Sequence, residues 1–279
     1  MKNFLSILLI ALLFSCGEGG YQNVQVYYET GELKAEGVMY KGYEHGPWKR
    51  YYKNGTKESE GDFYFGTQVG DWFWYYNNGQ LKESSHFEEN DANGKSIRYH
   101  KNGQKKAEDY WFRDYRKGRA KAWHSNGSKN YNGVFIDGLR DSVWVWYYDN
   151  GQIEDSVYFD YGYEHGLGVT YHRNGNKKSF GQWEQGYKFG VWRYFNEVGD
   201  LVKKGVFNEY GYRDGVWLER DSLGLTDSIT IYANGYIDTA YRVDVDTLNL
   251  DSIIVNPLNL DSVNLKEIEE YIEPGSPVG

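Results

Sequence analysis

Three histidines recur in one column of a repeating sequence: His100, His124 and His172 stand 24 and 48 residues apart. Regularly spaced imidazoles are metal-ligand material. However, equivalent positions in successive copies of a two-strand unit lie ~9.6 Å apart at ~4.8 Å per strand, far beyond the ~4 Å between ligands around one zinc. The three rings occupy the slot that Tyr52, Tyr76 and Tyr148 hold in other copies, so their expected role is structural. His45 and His165 sit in matching Gly-Tyr-Glu-His-Gly segments and read the same way. The chain carries no Gly-x-Ser-x-Gly, no His-Glu-x-x-His, no phosphate-cradling loop and no Ser/His/Asp arrangement. A glycosidase-like carboxylate pair has no specific signal in so acidic a chain. One cysteine leaves neither an intramolecular disulfide nor thiolate catalysis. The expectation is a protein with no catalytic residues, no metal and no cofactor.

Charge points to binding instead. The net charge is -9, yet residues 95 to 121 hold ten basic side chains against Glu108, Asp109 and Asp114, a local +7. The ten are Lys95, Arg98, Lys101, Lys105, Lys106, Arg113, Arg116, Lys117, Arg119 and Lys121, with Trp123 beside them. A basic, aromatic-lined stretch suits an anionic partner such as a lipid headgroup, a lipopolysaccharide phosphate, an acidic glycan or an acidic protein. The competing reading is repeat drift on a solvated sheet that needs charges. Nucleic acid is not expected.

The elements that position these residues are copies of one unit. A turn glycine falls every 24 residues from Gly31 through Gly55 and Gly79 to Gly199, then at Gly224 after one added residue. Six of these glycines follow asparagine, the signature of a two-residue type I′ hairpin. Upstream runs an aromatic strand such as Trp72-Phe73-Trp74-Tyr75-Tyr76. Downstream runs a shorter strand ending on Phe63, Phe87, Trp111, Phe135, Phe159, Trp183 or Phe207, with Met39 in the first copy. A second glycine (Gly46, Gly70, Gly94, Gly118, Gly166, Gly190) is expected to reverse the chain, with Ser142 in its place once. The Trp column reads Trp48, Trp72, Ser96, Ala120, Trp144, Gly168, Trp192 and, one residue late, Trp217; Trp123 is expected to compensate in part for the two adjacent gaps. About nine copies joined end to end make an all-β, elongated, single-layer antiparallel meander of roughly 85 Å. The 28 Tyr, 10 Trp and 13 Phe must then supply the buried area that Leu, Ile and Val supply elsewhere.

Gly46-Pro47-Trp48 with Tyr51, Asn54-Gly55 and Gly61 resembles the MORN repeat in its bacterial variant form, over residues 21–240. The resemblance implies membrane-lipid attachment, protein scaffolding or, for YwqK-like members, an antitoxin or immunity role against a toxin. Carbohydrate binding is a further alternative, since exposed Trp and Tyr stack on sugar faces.

Residues 1–15 read as a signal peptide, with Lys2 ahead of an apolar run from Phe4 to Phe14. Leu13-Phe14-Ser15-Cys16 resembles a lipobox, which makes Cys16 a lipidation site, residues 16–20 a tether, and the protein a lipoprotein of the cell envelope. Residues 21–240 are the array. Residues 241–279 carry eight acids against Arg242 and Lys266 and read as an acidic cap or tail. The combined expectation is a non-enzymatic, membrane-tethered scaffold for an envelope protein or an anionic lipid or glycan. Palmitate labelling of cells tests the anchor: the wild-type chain takes up label, and Cys16→Ser abolishes it.

Overall fold

The computed structural model describes residues 10–11, 20–220 and 226–244. The expected signal peptide, Cys16 with most of the expected tether, and the acidic segment beyond 244 lie outside the described residues, apart from a two-residue pairing of Ile10–Ala11 with Val26 and Gln25. Every described element is a β-strand. The chain divides after Gly127 into two compact units. Each is an antiparallel meander in which successive strands pair as hairpins. The first unit runs from Tyr21–Tyr27 to Gly118–Trp123, and the second from Lys129–Ile136 to Tyr236–Asp244.

Two turn assignments change on the backbone. The Asn-Gly turn is a three-residue loop, not a two-residue type I′ turn. The Gly55 N–H donates to the Tyr52 carbonyl at 2.9 Å and the Tyr52 N–H to the Thr56 carbonyl at 2.8 Å, while only Gly55, at φ 79°, takes the left-handed conformation. Asparagine is present for its side chain. Asn54 Oδ1 accepts from the Thr56 N–H at 3.0 Å, and Asn54 Nδ2 donates to the Asn77 carbonyl in the next copy at 3.0 Å. The type I′ turns stand elsewhere, at pairs such as Lys41-Gly42 (φ 49° and 82°) and Phe65-Gly66 (φ 49° and 80°). Gly46 therefore does not reverse the chain. It lies inside the strand Tyr43–Tyr51, at φ 71°, in a β-bulge where the register jumps between Gly37 and Met39 on the facing strand. Ser142 holds the same conformation, at φ 59°, in the copy that lacks the glycine.

The bulge explains the Trp column. It skips Val38 in the ladder, and the Trp48 indole N–H donates to that carbonyl at 2.9 Å. Trp72, Trp144, Trp192 and Trp217 make the same bond to Asp62, Val134, Gln182 and Val206. Each indole lies flat over a glycine of the preceding strand. A Cβ on Gly37, Gly61, Gly133, Gly181 or Gly205 would sit 2.0–2.4 Å from the nearest ring atom of Trp48, Trp72, Trp144, Trp192 or Trp217 respectively. These five rings are buried, 0–5% exposed. The Phe column closes the core edge-on, as Phe63 does against Trp72 at 4.9 Å and 79°.

Where the ring is absent, its glycine is absent too. Ser85 faces Ser96 with a 2.8 Å hydroxyl bond, Asp109 replaces the glycine opposite Ala120, and Val157 replaces it opposite Gly168. Gly61→Ala is expected to destabilise by about 1–3 kcal/mol through overpacking and Trp72→Ala by about 3–5 kcal/mol through the cavity, read from urea denaturation. Gly61→Ser with Trp72→Ser, a copy of the Ser85–Ser96 pair, should cost less than its two single changes added; strict additivity would sink the paired account.

Candidate functional site

The basic stretch occupies three neighbouring strands of the first unit, Gly94–Tyr99, Lys105–Phe112 and Gly118–Trp123. Two of its three acids are paired within it, while the third, Asp114, accepts from the Ala92 N–H at 2.6 Å. Glu108 accepts from Lys95 at 3.0 Å and Lys105 at 3.1 Å, and buried Asp109 accepts from Arg98 at 2.8 Å. Burial works to raise the Glu108 carboxyl, but the bonds from Lys105 and Lys95 together hold it below its usual range, and the bond to Glu108 lifts Lys95 above its own. Lys101 stands over Tyr76, Arg116 over Trp111, and both Arg113 and Lys117 over Phe112. Lys106, Arg119 and Lys121 are exposed, as are the rings of Tyr110, Phe112 and Tyr115. The geometry thus divides the ten cations: Lys95, Arg98 and Lys105 act within the sheet, Lys101 and Lys106 stand at the His100–Gln104 end of the strand Lys105–Phe112, and Arg113, Arg116, Lys117, Arg119 and Lys121 lie along the Arg113-Asp114 turn and the Gly118–Trp123 strand. Trp123 does not compensate for the missing rings. It continues the column of Tyr51 and Tyr75 on the face opposite buried Ala120 and Ala122, with Lys105 over its ring at 5.8 Å.

The histidine column makes the bonds that tyrosine makes in other copies. His100 Nε2 lies 2.9 Å from the Trp123 carbonyl and His172 Nε2 2.8 Å from that of Phe195, matching Tyr52 Oη to the Tyr75 carbonyl at 2.8 Å. Among the described residues no three metal-ligating side chains converge.

A second arrangement lies wholly within the second unit, where Gly168 breaks the Trp column. Val157, with a side chain where other copies have glycine, excludes the usual indole and leaves a cleft of about 380 Å³. Gly168 forms its floor beside the hydroxyl pair of Thr170 and Ser179, 2.7 Å apart. One wall is Trp146 and Phe159, with the Arg140 guanidinium over both rings at 5.4 and 5.3 Å. The other is Trp183 and Trp192, edge to face at 5.3 Å, with Lys188 over the Trp192 ring at 4.2 Å. Trp183 has moved across the vacated position: a Cβ on Gly168 would lie 2.5 Å from its Nε1. Asp155 and Glu164 bring carboxylates to the same lining.

The cleft perturbs its own charges. Burial pushes the Asp155 carboxyl up to about 6, reinforced by Glu154 and Glu164 and opposed by a bond from the Ser156 amide. Burial, then the nearby Arg213 and Lys203, lowers Lys188. Both shifts weaken charge in a partly dry space, the pattern of a ligand site. Sequence reasoning singled out Gly168 as a gap but looked for the site at Ser96 and Ala120. The signal that marks the cleft is the coincidence of Gly168, Val157 and Trp183, three departures in neighbouring strands.

Three segments, residues 44–64, 68–89 and 140–161, match the family described as MORN repeat variant. Each begins just past a type I′ turn, spans one Asn-Gly hairpin and ends at or within the next turn. These three segments are repeats of the MORN type. No curated protein matches the sequence. One solved structure, described as "Crystal Structure of TcdB2-TccC3 without hypervariable C-terminal region", is 12% identical and matches over 77% of this chain with a TM-score of 0.21, a likeness too slight to bear on the fold. This chain spans 14% of that chain's length. No helix among the described residues is long and apolar enough to cross a membrane.

An Asp155 carboxyl raised to about 6 in the folded chain, against ~3.9 unfolded, contributes stability that is present below the unfolded value and lost as pH rises through 6. Asp155→Asn should therefore raise the thermal midpoint at pH 7.5 and leave it unchanged at pH 4. For a protein of this size roughly 2–4 °C corresponds to 1 kcal/mol. An equal shift at both pH values would show that Asp155 is not the group responsible.

Proposed function

We propose that this protein is a non-enzymatic scaffold that holds an array of MORN repeats against an anionic surface of the cell envelope, tethered through Cys16. The observation that carries the reading is the cation and ring cluster about the Arg113-Asp114 turn. Glu108 and Asp109 already pair with Lys95, Lys105 and Arg98, which leaves Arg113, Lys117 and Arg119 exposed at the turn with Asp114 as the acid beside them. Phe112 and Tyr115, 48% and 63% exposed beside Arg113 and Lys117, add amphipathic rings at the same edge. A cation close to an anionic lipid surface contributes ~1 kcal/mol, falling away within a Debye length. Five such groups suffice for reversible attachment, and a lipid on Cys16 would supply the second anchoring signal that stable membrane binding takes. Anionic lipid or glycolipid is the partner class this cluster fits best; an acidic envelope protein would use the same charges.

Vesicle sedimentation tests the reading. The chain is expected to bind vesicles containing an anionic lipid in a salt-dependent way and to ignore purely zwitterionic ones. Joint replacement of Arg113, Lys117, Arg119 and Lys121 by glutamate should weaken binding by more than about a hundredfold. Unchanged binding by the four-fold variant would overturn the assignment.

A further inference from the structure

We propose that the cleft over Gly168 is a binding site for a neutral saccharide, taking one pyranose unit between the indoles of Trp146 and Trp183. The inference stands apart from the anionic-surface reading, because it rests on other residues, in the other unit.

The lining argues the ligand class by elimination. It holds two carboxylates, Asp155 and Glu164, and two cations, Arg140 and Lys188. A ligand with a net negative charge would meet both carboxylates, and burial already disfavours the charge on Asp155. An alkylammonium ligand, the usual occupant of an aromatic cage, would meet two cations, Arg140 and Lys188, in the same lining. A neutral ligand rich in hydroxyls meets neither obstacle. Its O–H groups can donate to Asp155 and Glu164, its oxygens can accept from Arg140 and Lys188, and Thr170 and Ser179 can do either.

The shape agrees. A pyranose has an apolar face of C–H groups and a rim of hydroxyls, which matches indole walls around a polar floor. A cleft of about 380 Å³ sits at the lower end of the ~300–1,000 Å³ typical of small-molecule sites. The site is also built rather than incidental. Fully packed copies fill this position with a Trp over a glycine, and here three changes act together. Val157 blocks the indole, Gly168 removes it, and Trp183 replaces the usual phenylalanine and supplies a wall.

The test uses the full chain with cellobiose, maltose and N,N′-diacetylchitobiose as probes, glucuronate and choline as charged comparators, and calorimetry with indole fluorescence as readouts. Saturable binding of at least one neutral disaccharide is expected, weakened at least tenfold by Trp183→Ala and by Asp155→Asn. The decisive variant combines Val157→Gly, Gly168→Trp and Trp183→Phe, which rebuilds the packed copy and fills the cleft. It should keep the circular dichroism of the parent, melt no lower than the parent and bind no sugar. Because folding is read separately, loss of binding there reports on the cleft. No saturable binding to any of the three disaccharides, binding of choline or glucuronate alone, or binding that survives in the filled variant would each overturn the proposal. Glutamate replacements in the basic cluster should leave sugar binding unchanged, so the two readings stand or fall separately.

Discussion

An indole lying flat on a glycine of the adjacent strand is the contact on which the rest of this protein depends. A sheet of hairpins has no second layer to pack against, so its apolar area must be buried between neighbouring strands. A tryptophan can do that only if the facing residue has no side chain, and a Cβ at any of the five glycines would fall 2.0–2.4 Å from a ring atom. The same ring answers the backbone. At each bulge that Gly46 and its equivalents create, the indole N–H donates to a carbonyl of the facing strand at the register jump, so glycine, bulge and tryptophan form one unit of hydrogen bonding and packing. Neither partner is free to drift alone. That is why Ser85 accompanies Ser96, Asp109 accompanies Ala120 and Val157 accompanies Gly168.

These exchanges separate the two candidate surfaces. At Asp109 a buried carboxylate stands where other copies have glycine and pairs with the Arg98 guanidinium, which ties up acidic charge that would otherwise balance the basic stretch. The strands of these two copies are also interrupted, at Asn93 and Lys117, where the strand Tyr43–Tyr51 runs unbroken. At Gly168 the exchange is incomplete. Val157 is too small to replace an indole, Trp183 covers only one side, and the remaining space becomes a lined cleft. One kind of lesion in the repeat therefore yields a charged surface in one unit and a recess in the other.

The outer edges follow the same economy of side chains for backbone. Tyr52, Tyr76 and Tyr148 each donate a hydroxyl to a carbonyl one copy on, and His100 and His172 place a ring nitrogen at the same distance. On the opposite face Tyr51 and Tyr75 bond Glu36 and Glu60 at 2.6 and 2.5 Å, and burial together with these carboxylates pushes both phenols up to about 12. The tyrosines act as tie-bars between copies as much as apolar surface.

The sequence by itself determined the repeat, its length, the antiparallel strands and the structural role of the histidines, because each depends on residue type at fixed spacing. It identified the basic stretch, since charge is countable along a chain. The turn types were not legible. Asn-Gly satisfies both a type I′ turn and a three-residue loop, and the choice falls to an Asn side chain bonding the next copy, a contact 23 residues away. The place of Gly46 in a bulge, the face that Trp123 takes, and which cations are neutralised were likewise decided only in three dimensions. So was the cleft. A missing ring reads the same in sequence at Ser96, Ala120 and Gly168, and only the fold shows a hydroxyl pair with Ser85 at the first, an Asp109–Arg98 ion pair at the second and a lined cleft at the third.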